Sequence, residues 1–139
     1  MVLNGSLAGL VGITAGADVV SVNAAMLIGL IAGLIVVGSV IAIDRLKLDD
    51  PVGALSVHLV CGIWGTLAVG IFSPAHSFLI QALGVLAYGA ISFPAALLIF
   101  FALKQVMGLR VSEAEERIGL DVVEHGMEAY GSFQMFPTR

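Results

Sequence analysis

Charged residues are scarce in this sequence, and most of the few that occur lie near its C-terminal end. They make up 12% of the 139 residues, which is about half of the share that is usual in soluble domains. The formal net charge is −4, because 10 acidic residues stand against 6 basic ones. This balance argues against nucleic acid as a partner, since nucleic-acid-binding domains carry basic patches.

The motifs of several enzyme classes are missing as well. A single cysteine excludes an intramolecular disulfide framework and a C-x-x-C site. The sequence has no glycine-rich phosphate loop and no H-E-x-x-H zinc motif. No Ser, His and Asp set falls in one plausible pocket. We therefore expect no enzyme activity, no bound cofactor and no metal site.

Long apolar runs take the place of charge. Hydrophobic residues make up 59% of the chain, against about 45–50% in soluble domains, and the mean hydropathy is +1.06. From Pro51 to Leu103 there is no Asp, Glu, Lys or Arg. A lone strand in lipid would leave its backbone groups unpaired, so apolar segments of this kind form helices. The sequence thus predicts an all-α integral membrane protein.

Polar interruptions divide the apolar region into four predicted membrane spans. The charged interruption lies at residues 44–50, and uncharged ones lie at residues 21–23 and 73–77. About 20 apolar residues suffice for one crossing. The predicted spans are residues 4–20, 24–43, 52–72 and 78–103, in a transmembrane region 1–107 that precedes a tail at 108–139. A signal peptide is the alternative for the first run, which lacks the Lys or Arg that begins one.

The positive charges predict the orientation of these spans. Arg45 and Lys47 follow the second span, and Lys104 and Arg110 follow the fourth. With four spans, both positions lie on the same side of the membrane. Loops rich in Lys and Arg stay in the cytoplasm, so we expect a cytoplasmic C-terminus.

The third predicted span carries one ionisable side chain, His58. Asp50 and Pro51 precede it, and we expect the first to cap the helix and the second to occupy its first position. At α-helical spacing one face would carry His58 among small residues: Ala54, Cys61, Gly62 and Gly65. An ionisable residue at membrane depth suggests function, whereas a hydrogen-bonded packing residue is the alternative. His76, in the loop that follows, is expected to be exposed.

Two short capped helices are predicted in the tail. Ser112 and Glu115 have the spacing of a capping box, and Gly119 would end that helix. Asp121 and Glu124 repeat the pattern, and Gly126 would end the second helix. Past Tyr130 we expect disorder.

Three stretches resemble the ammonium transporter (Amt/MEP/Rh) family. The segment DDPVGALSVHLVCGIWGTLAVGIF, from Asp49, is similar to the family's signature around its second pore histidine. NGSLAGLVGITAGADVV, from Asn4, resembles the family's eighth span, and GLRVSEAEERIGLDVVEHGMEAY, from Gly108, resembles its cytoplasmic tail. The resemblance implies that the chain holds spans eight to eleven of an eleven-span fold, with ammonium or ammonia as the substrate.

The resemblance also implies roles for individual residues. His58 would be the pore histidine, Asp50 the start and cap of the pore helix, and Ala54 and Cys61 possible pore lining. Where some members have a further Asp, this chain has Gly53. The tail would couple the pore to the cytoplasm through Gly108, Arg110, Glu115, Gly119, Asp121, His125 and Gly126.

The partners implied by the resemblance are the lipid bilayer, two further copies in a homotrimer, and a PII signalling protein on the cytoplasmic face. The implied location is the cell (plasma) membrane, which the chain crosses several times. An alternative function is a non-conducting, truncated membrane protein with a structural or regulatory role.

Overall fold

The computed structural model describes residues 1–129, and the expectation of disorder past Tyr130 lies outside them. Within this range the chain is helical and has no strand, as predicted. The helices are α1 (Val2–Thr14), α2 (Val22–Arg45), a π-helix (Ala54–Val60) that runs directly into α3 (Cys61–Phe72), α4 (Phe78–Val106), α5 (Glu113–Ile118) and α6 (Leu120–His125). They form two compact units, the first at Met1–Ser92 and the second beginning at Phe93.

Three of these helical segments are long and apolar enough to cross a membrane: Val22–Arg45, Ala54–Phe72 and Phe78–Val106. The first helix differs from its predicted span, because α1 has 13 residues and ends at Thr14. Its length is about 20 Å, less than the roughly 30 Å of a bilayer's hydrocarbon core. Successive turns follow α1, with the N–H groups of Val19 and Val20 both donating to the Gly16 carbonyl.

Small residues let α1, α2 and α3 approach closely within the first unit. A Cβ atom built on Gly9 would lie 3.9 Å from the Cα atom of Gly29, so the backbones of α1 and α2 nearly touch there. Gly65 of α3 faces Gly12 of α1 even more tightly, since its Cβ would lie 2.5 Å from the Gly12 carbonyl oxygen. Close van der Waals fit of this kind is what holds helices together in lipid.

A small core fills the space between these helices. It consists of Ala8, Ala32, Val36, Val57 and Cys61. Trp64 packs against it, and its indole N–H donates to the Ile28 carbonyl at 3.1 Å. This bond ties α3 to α2 by a polar contact that lipid cannot replace.

The loop between α3 and α4 is a tight turn. The hydroxyl of Ser73, a buried residue, is 2.9 Å from Nδ1 of His76. The His76 N–H also donates to the Ser73 carbonyl, at 3.2 Å. The expectation of an exposed His76 is therefore wrong, because the turn holds its ring half-buried against Ser73.

Helix α4 contributes no buried residue anywhere along its 29 residues. Large apolar side chains on it, such as Leu86, Phe93 and Leu98, are each exposed by about 70%. An apolar helix with so much exposed surface needs lipid or other helices around it, because exposing that surface to water is unfavourable.

The tail in the second unit contains one of the two predicted capping boxes. Ser112 accepts from the Glu115 N–H, and the Glu115 carboxylate accepts from the Ser112 N–H, as predicted. The prediction of a second capping box, at Asp121 and Glu124, is wrong. Helix α6 begins at Leu120, before Asp121, so the Asp121 carboxylate accepts instead from the N–H groups of Val122 and Ala129. Gly119 and Gly126 end the two helices, as expected.

Candidate functional site

The approach to His58 begins at a left-handed turn. Gly53 has φ of 75°, and it is the residue before the first helical position, Ala54. Only glycine adopts such a conformation without strain. Pro51 lies in the turn ahead of it, so the expectation that Pro51 starts the helix is wrong. The helix starts later because the chain first turns back from Asp50, whose carbonyl accepts from the Gly53 N–H at 3.3 Å.

The Asp50 carboxylate occupies the start of this helix. It accepts from the Leu55 N–H at 2.9 Å, from the Ser56 N–H at 2.9 Å and from the Ser56 hydroxyl at 2.7 Å. The N–H groups in the first turn of a helix have no partner within it, and Asp50 supplies one for two of them. These bonds hold the pKa of Asp50 below its usual value, with the Leu55 N–H as the largest cause.

The segment that carries His58 is a π-helix of 7 residues. The Gly53 carbonyl accepts from the Val57 N–H at 2.9 Å and also from the His58 N–H, five residues on, at 3.3 Å. A π-helix winds more residues into each turn than an α-helix does, and such segments often occur at functional sites. At Cys61 the backbone returns to α-helical pairing, because its N–H donates to the Val57 and His58 carbonyls.

The change of helix type separates residues that the sequence analysis placed on one face. His58 and Ala54 are exposed, whereas Cys61 and Gly65 are buried against α1 and α2. The prediction of a common face with Cys61 and Gly65 is therefore wrong. It assumed α-helical spacing, under which residues 58 and 61 lie close together. The Cys61 thiol points into the core, 3.6 Å from the Ala32 carbonyl and 3.5 Å from the Ser56 carbonyl.

His58 opens into a groove of about 680 Å³ that lies between the π-helix with α3 on one side and the part of α4 that belongs to the first unit on the other. One wall is formed by His58 with its groove-side neighbours Leu59, Gly62, Ile63 and Thr66. The opposite wall is formed by α4 residues Gln81, Gly84, Val85, Leu86, Tyr88, Gly89, Ala90 and Ser92. The lining is mostly apolar with a few polar groups, so His58 can meet a small solute in a largely apolar setting.

The side chains of the described residues bring no metal site together. Among residues 1–129, no group of three or more His, Cys, Asp or Glu side chains lies close enough to hold a metal ion. Within the same residues, no acidic or basic side chain forms a hydrogen bond with the His58 ring. Its imidazole can therefore donate or accept one hydrogen bond to whatever enters the groove.

The tail residues singled out from the sequence lie in several different surroundings. Gly108, Gly119 and Gly126 have positive φ and mark turns. Arg110 lines a hollow of about 350 Å³ together with Leu109, Val111, Glu116, Leu120 and Glu124. The Ser112 hydroxyl and N–H lower the pKa of Glu115, and the N–H groups of Ala129 and Val122 lower that of Asp121. His125 ends α6.

Sequence reasoning missed Ser56, whose hydroxyl joins Asp50, and the π-helix itself. A signal for the turn was present, because aspartate at the first position of a turn, proline at the second and glycine at the fourth are typical of a type I turn. Nothing in the residue pattern distinguishes a π-helix from an α-helix, since both are apolar segments without breakers.

Comparison with known proteins gives a consistent result. The model of the Ammonium Transporter Family matches residues 1–130. A Synechocystis sp. protein, provisionally named an ammonium transporter, is 46% identical over 93% of this chain and 30% of its own length. The ammonium transporter Amt2 of Archaeoglobus fulgidus is 37% identical over 96% of this chain and 33% of its own length. A solved structure described as a sensor Amt protein is 41% identical, with a TM-score of 0.78, and it covers 87% of this chain. The chain spans about a third of the length of each of these proteins.

Proposed function

Because this chain belongs to the Ammonium Transporter Family, we propose that it forms part of the path by which ammonium or ammonia crosses a membrane. The observation that carries the proposal is His58, exposed on a π-helix at the wall of a largely apolar groove. The relatives are named as ammonium transporters, which supports the same substrate.

The physical argument rests on the cost of charge in lipid. A charged group near the bilayer centre costs about 3 kcal/mol or more. An apolar path therefore favours ammonia over ammonium, as burial favours the neutral form of a lysine. A neutral imidazole can exchange hydrogen bonds with ammonia, or it can take a proton from ammonium and leave ammonia behind. In this proposal His58 is the pore histidine.

Replacing His58 by alanine tests the proposal. In the protein as its own gene encodes it, His58→Ala is expected to change uptake of ammonium and methylammonium by about tenfold or more, since a positioned proton-transfer group typically contributes about 100-fold or more. Uptake is measured in cells that lack other ammonium transporters. His76→Ala is the matched control, because His76 lies in the loop and not in the groove. If both variants and the unmodified protein take up ammonium equally, His58 is a packing residue and not a pore residue.

We further propose that four spans cross the cell membrane with the C-terminus in the cytoplasm. The support is the placement of Arg45, Lys47, Lys104 and Arg110. In a Cys61→Ser background, Leu48→Cys and Ser112→Cys are expected to react with an impermeant maleimide only from the cytoplasm. Ser77→Cys is expected to react only from outside. If Leu48→Cys and Ser77→Cys react from the same side, the four-span arrangement is refuted.

The remaining site assignments are proposals of the same kind. Asp50 holds the start of the pore helix, and exposed Ala54 lines the path, whereas buried Cys61 does not face it. The tail from Gly108 couples the path to the cytoplasm through its ordered turns and the cap at Ser112. A homotrimer and a PII protein on the cytoplasmic face complete the proposed assembly.

A non-conducting membrane protein is the second candidate function. The chain spans about a third of its relatives, and α4 buries none of its residues. Both observations fit a segment that needs further helices to enclose a path. The mass of the protein isolated from its own membrane separates the two candidates, since 14.4 kDa corresponds to this chain alone.

A further inference from the structure

Ser56 is buried completely, and each of its polar groups has an unusual partner. Its hydroxyl and its N–H both donate to Oδ2 of Asp50, at 2.7 and 2.9 Å. Its carbonyl lies 3.5 Å from the Cys61 thiol. A hydroxyl that is buried among apolar side chains is costly unless it is bonded, so these contacts fix the place of Ser56 firmly.

The carbonyl contact marks the point where the π-helix ends. In a continued π-helix, the Cys61 N–H would donate to the Ser56 carbonyl, five residues back. It donates instead to the carbonyls of Val57 and His58. The Ser56 carbonyl thereby loses that donor, and the Cys61 thiol is placed to donate to it. Asp50 thus holds the hydroxyl and N–H of Ser56, and Cys61, the first residue of α3, contacts its carbonyl.

These contacts depend on the number of residues in each turn of the helix, which sets the direction of every side chain. Helix α3 is fixed against α1 and α2 by Gly65 and Trp64. If residues 54–60 rewound into an α-helix on this fixed base, each would turn about the helix axis, and Ser56 would leave the Asp50 carboxylate. His58, two residues further on, would turn with it and away from its present place in the groove.

We propose that Ser56 is a positioning residue for transport: by donating its hydroxyl to Asp50 it holds residues 54–60 as a π-helix and so directs His58 into the groove. The inference rests on the proposed role of His58 in ammonium passage. Ser56 itself does not touch the solute, since it is buried on the side of the helix away from the groove.

The experiment compares Ser56→Ala, Ser56→Thr and Thr14→Ala in the natively encoded protein. The quantity measured is the ratio of methylammonium uptake to ammonium uptake, which does not depend on how much protein folds. Ser56→Ala keeps the buried Cβ and removes only the hydroxyl. It is expected to change the ratio by about threefold or more, because a binding group displaced by about 1 Å already has large rate effects.

Ser56→Thr keeps the hydroxyl, and it is expected to keep the ratio of the unmodified protein. Thr14→Ala is the matched control, because it removes a hydroxyl that bonds to a backbone carbonyl, that of Leu10, in α1. Its ratio is expected to stay unchanged. An unchanged ratio in Ser56→Ala, or an equal change in Ser56→Thr, would overturn the inference while leaving ammonium transport in place. An unmodified protein that takes up no ammonium would instead overturn the proposed function, and this inference with it.

Discussion

Replacing Gly65 by alanine is expected to destabilise the packing of α1 against α3 by about 3 kcal/mol, near the upper end for one added methyl group in a packed site. The new Cβ would lie 2.5 Å from the Gly12 carbonyl oxygen and 3.2 Å from the Gly12 Cα atom. Both atoms belong to the backbone, so no side chain can rotate away. The two helices would have to separate, and the contact at Gly9 and Gly29 would loosen with them.

The measurement is the amount of folded protein in the membrane, which a change of this size lowers several-fold. Gly62→Ala is the matched control, one turn earlier in the same helix. Its Cβ would meet only the Val11 side chain, at 3.9 Å, which is ordinary van der Waals contact. We expect that variant to accumulate normally. Equal accumulation of both variants would mean that α1 and α3 lie further apart than the 2.5 Å contact at Gly65 implies.

The 139-residue chain on its own is expected to conduct no ammonium. His58 lines an open groove and not an enclosed channel. Helix α4 buries no residue, so most of its apolar surface has no helix to pack against. In lipid this missing contact is not supplied by hydrophobic burial, because helices associate there through close fit. The helices can still insert, since each satisfies its own backbone.

The test is reconstitution of the purified chain in liposomes that contain a pH-sensitive dye. Ammonium-dependent flux is expected to equal that of protein-free vesicles. Flux above this level that is abolished by His58→Ala would show that this chain encloses a path by itself. Flux that persists in His58→Ala would indicate leakage around poorly packed helices.

The helical architecture could be predicted from the sequence because the solvent dictates it. Apolar runs without charge have to be helical in lipid, and the runs after Asn23, Pro51 and Ser77 all became long helices. The length of the first helix could not be predicted in the same way. Residues 15–20 are as apolar as those before them apart from Asp18, and the turns at Gly16 end the helix there.

The candidate site was only partly predictable. His58 stood out because it is the ionisable side chain in its span, and the structure places it at a groove. The orientation of its neighbours depended on counting residues per turn, and that count fails in a π-helix. Ser56 gave no signal, because a single serine in an apolar helix usually bonds to its own backbone. Its bond to Asp50 follows from the turn at Gly53, which brings the carboxylate back over the helix start.

The indole of Trp64 gives this fold an optical probe at its tightest junction. It is the one tryptophan in the chain, and it bonds to the Ile28 carbonyl while its ring lies close to Gly12. Excitation of the chain at wavelengths that only indole absorbs therefore reports on the meeting point of α1, α2 and α3. Separation of these helices would break this hydrogen bond and change the polarity around the ring, which shifts the emission wavelength, so the integrity of the junction can be followed without any added label.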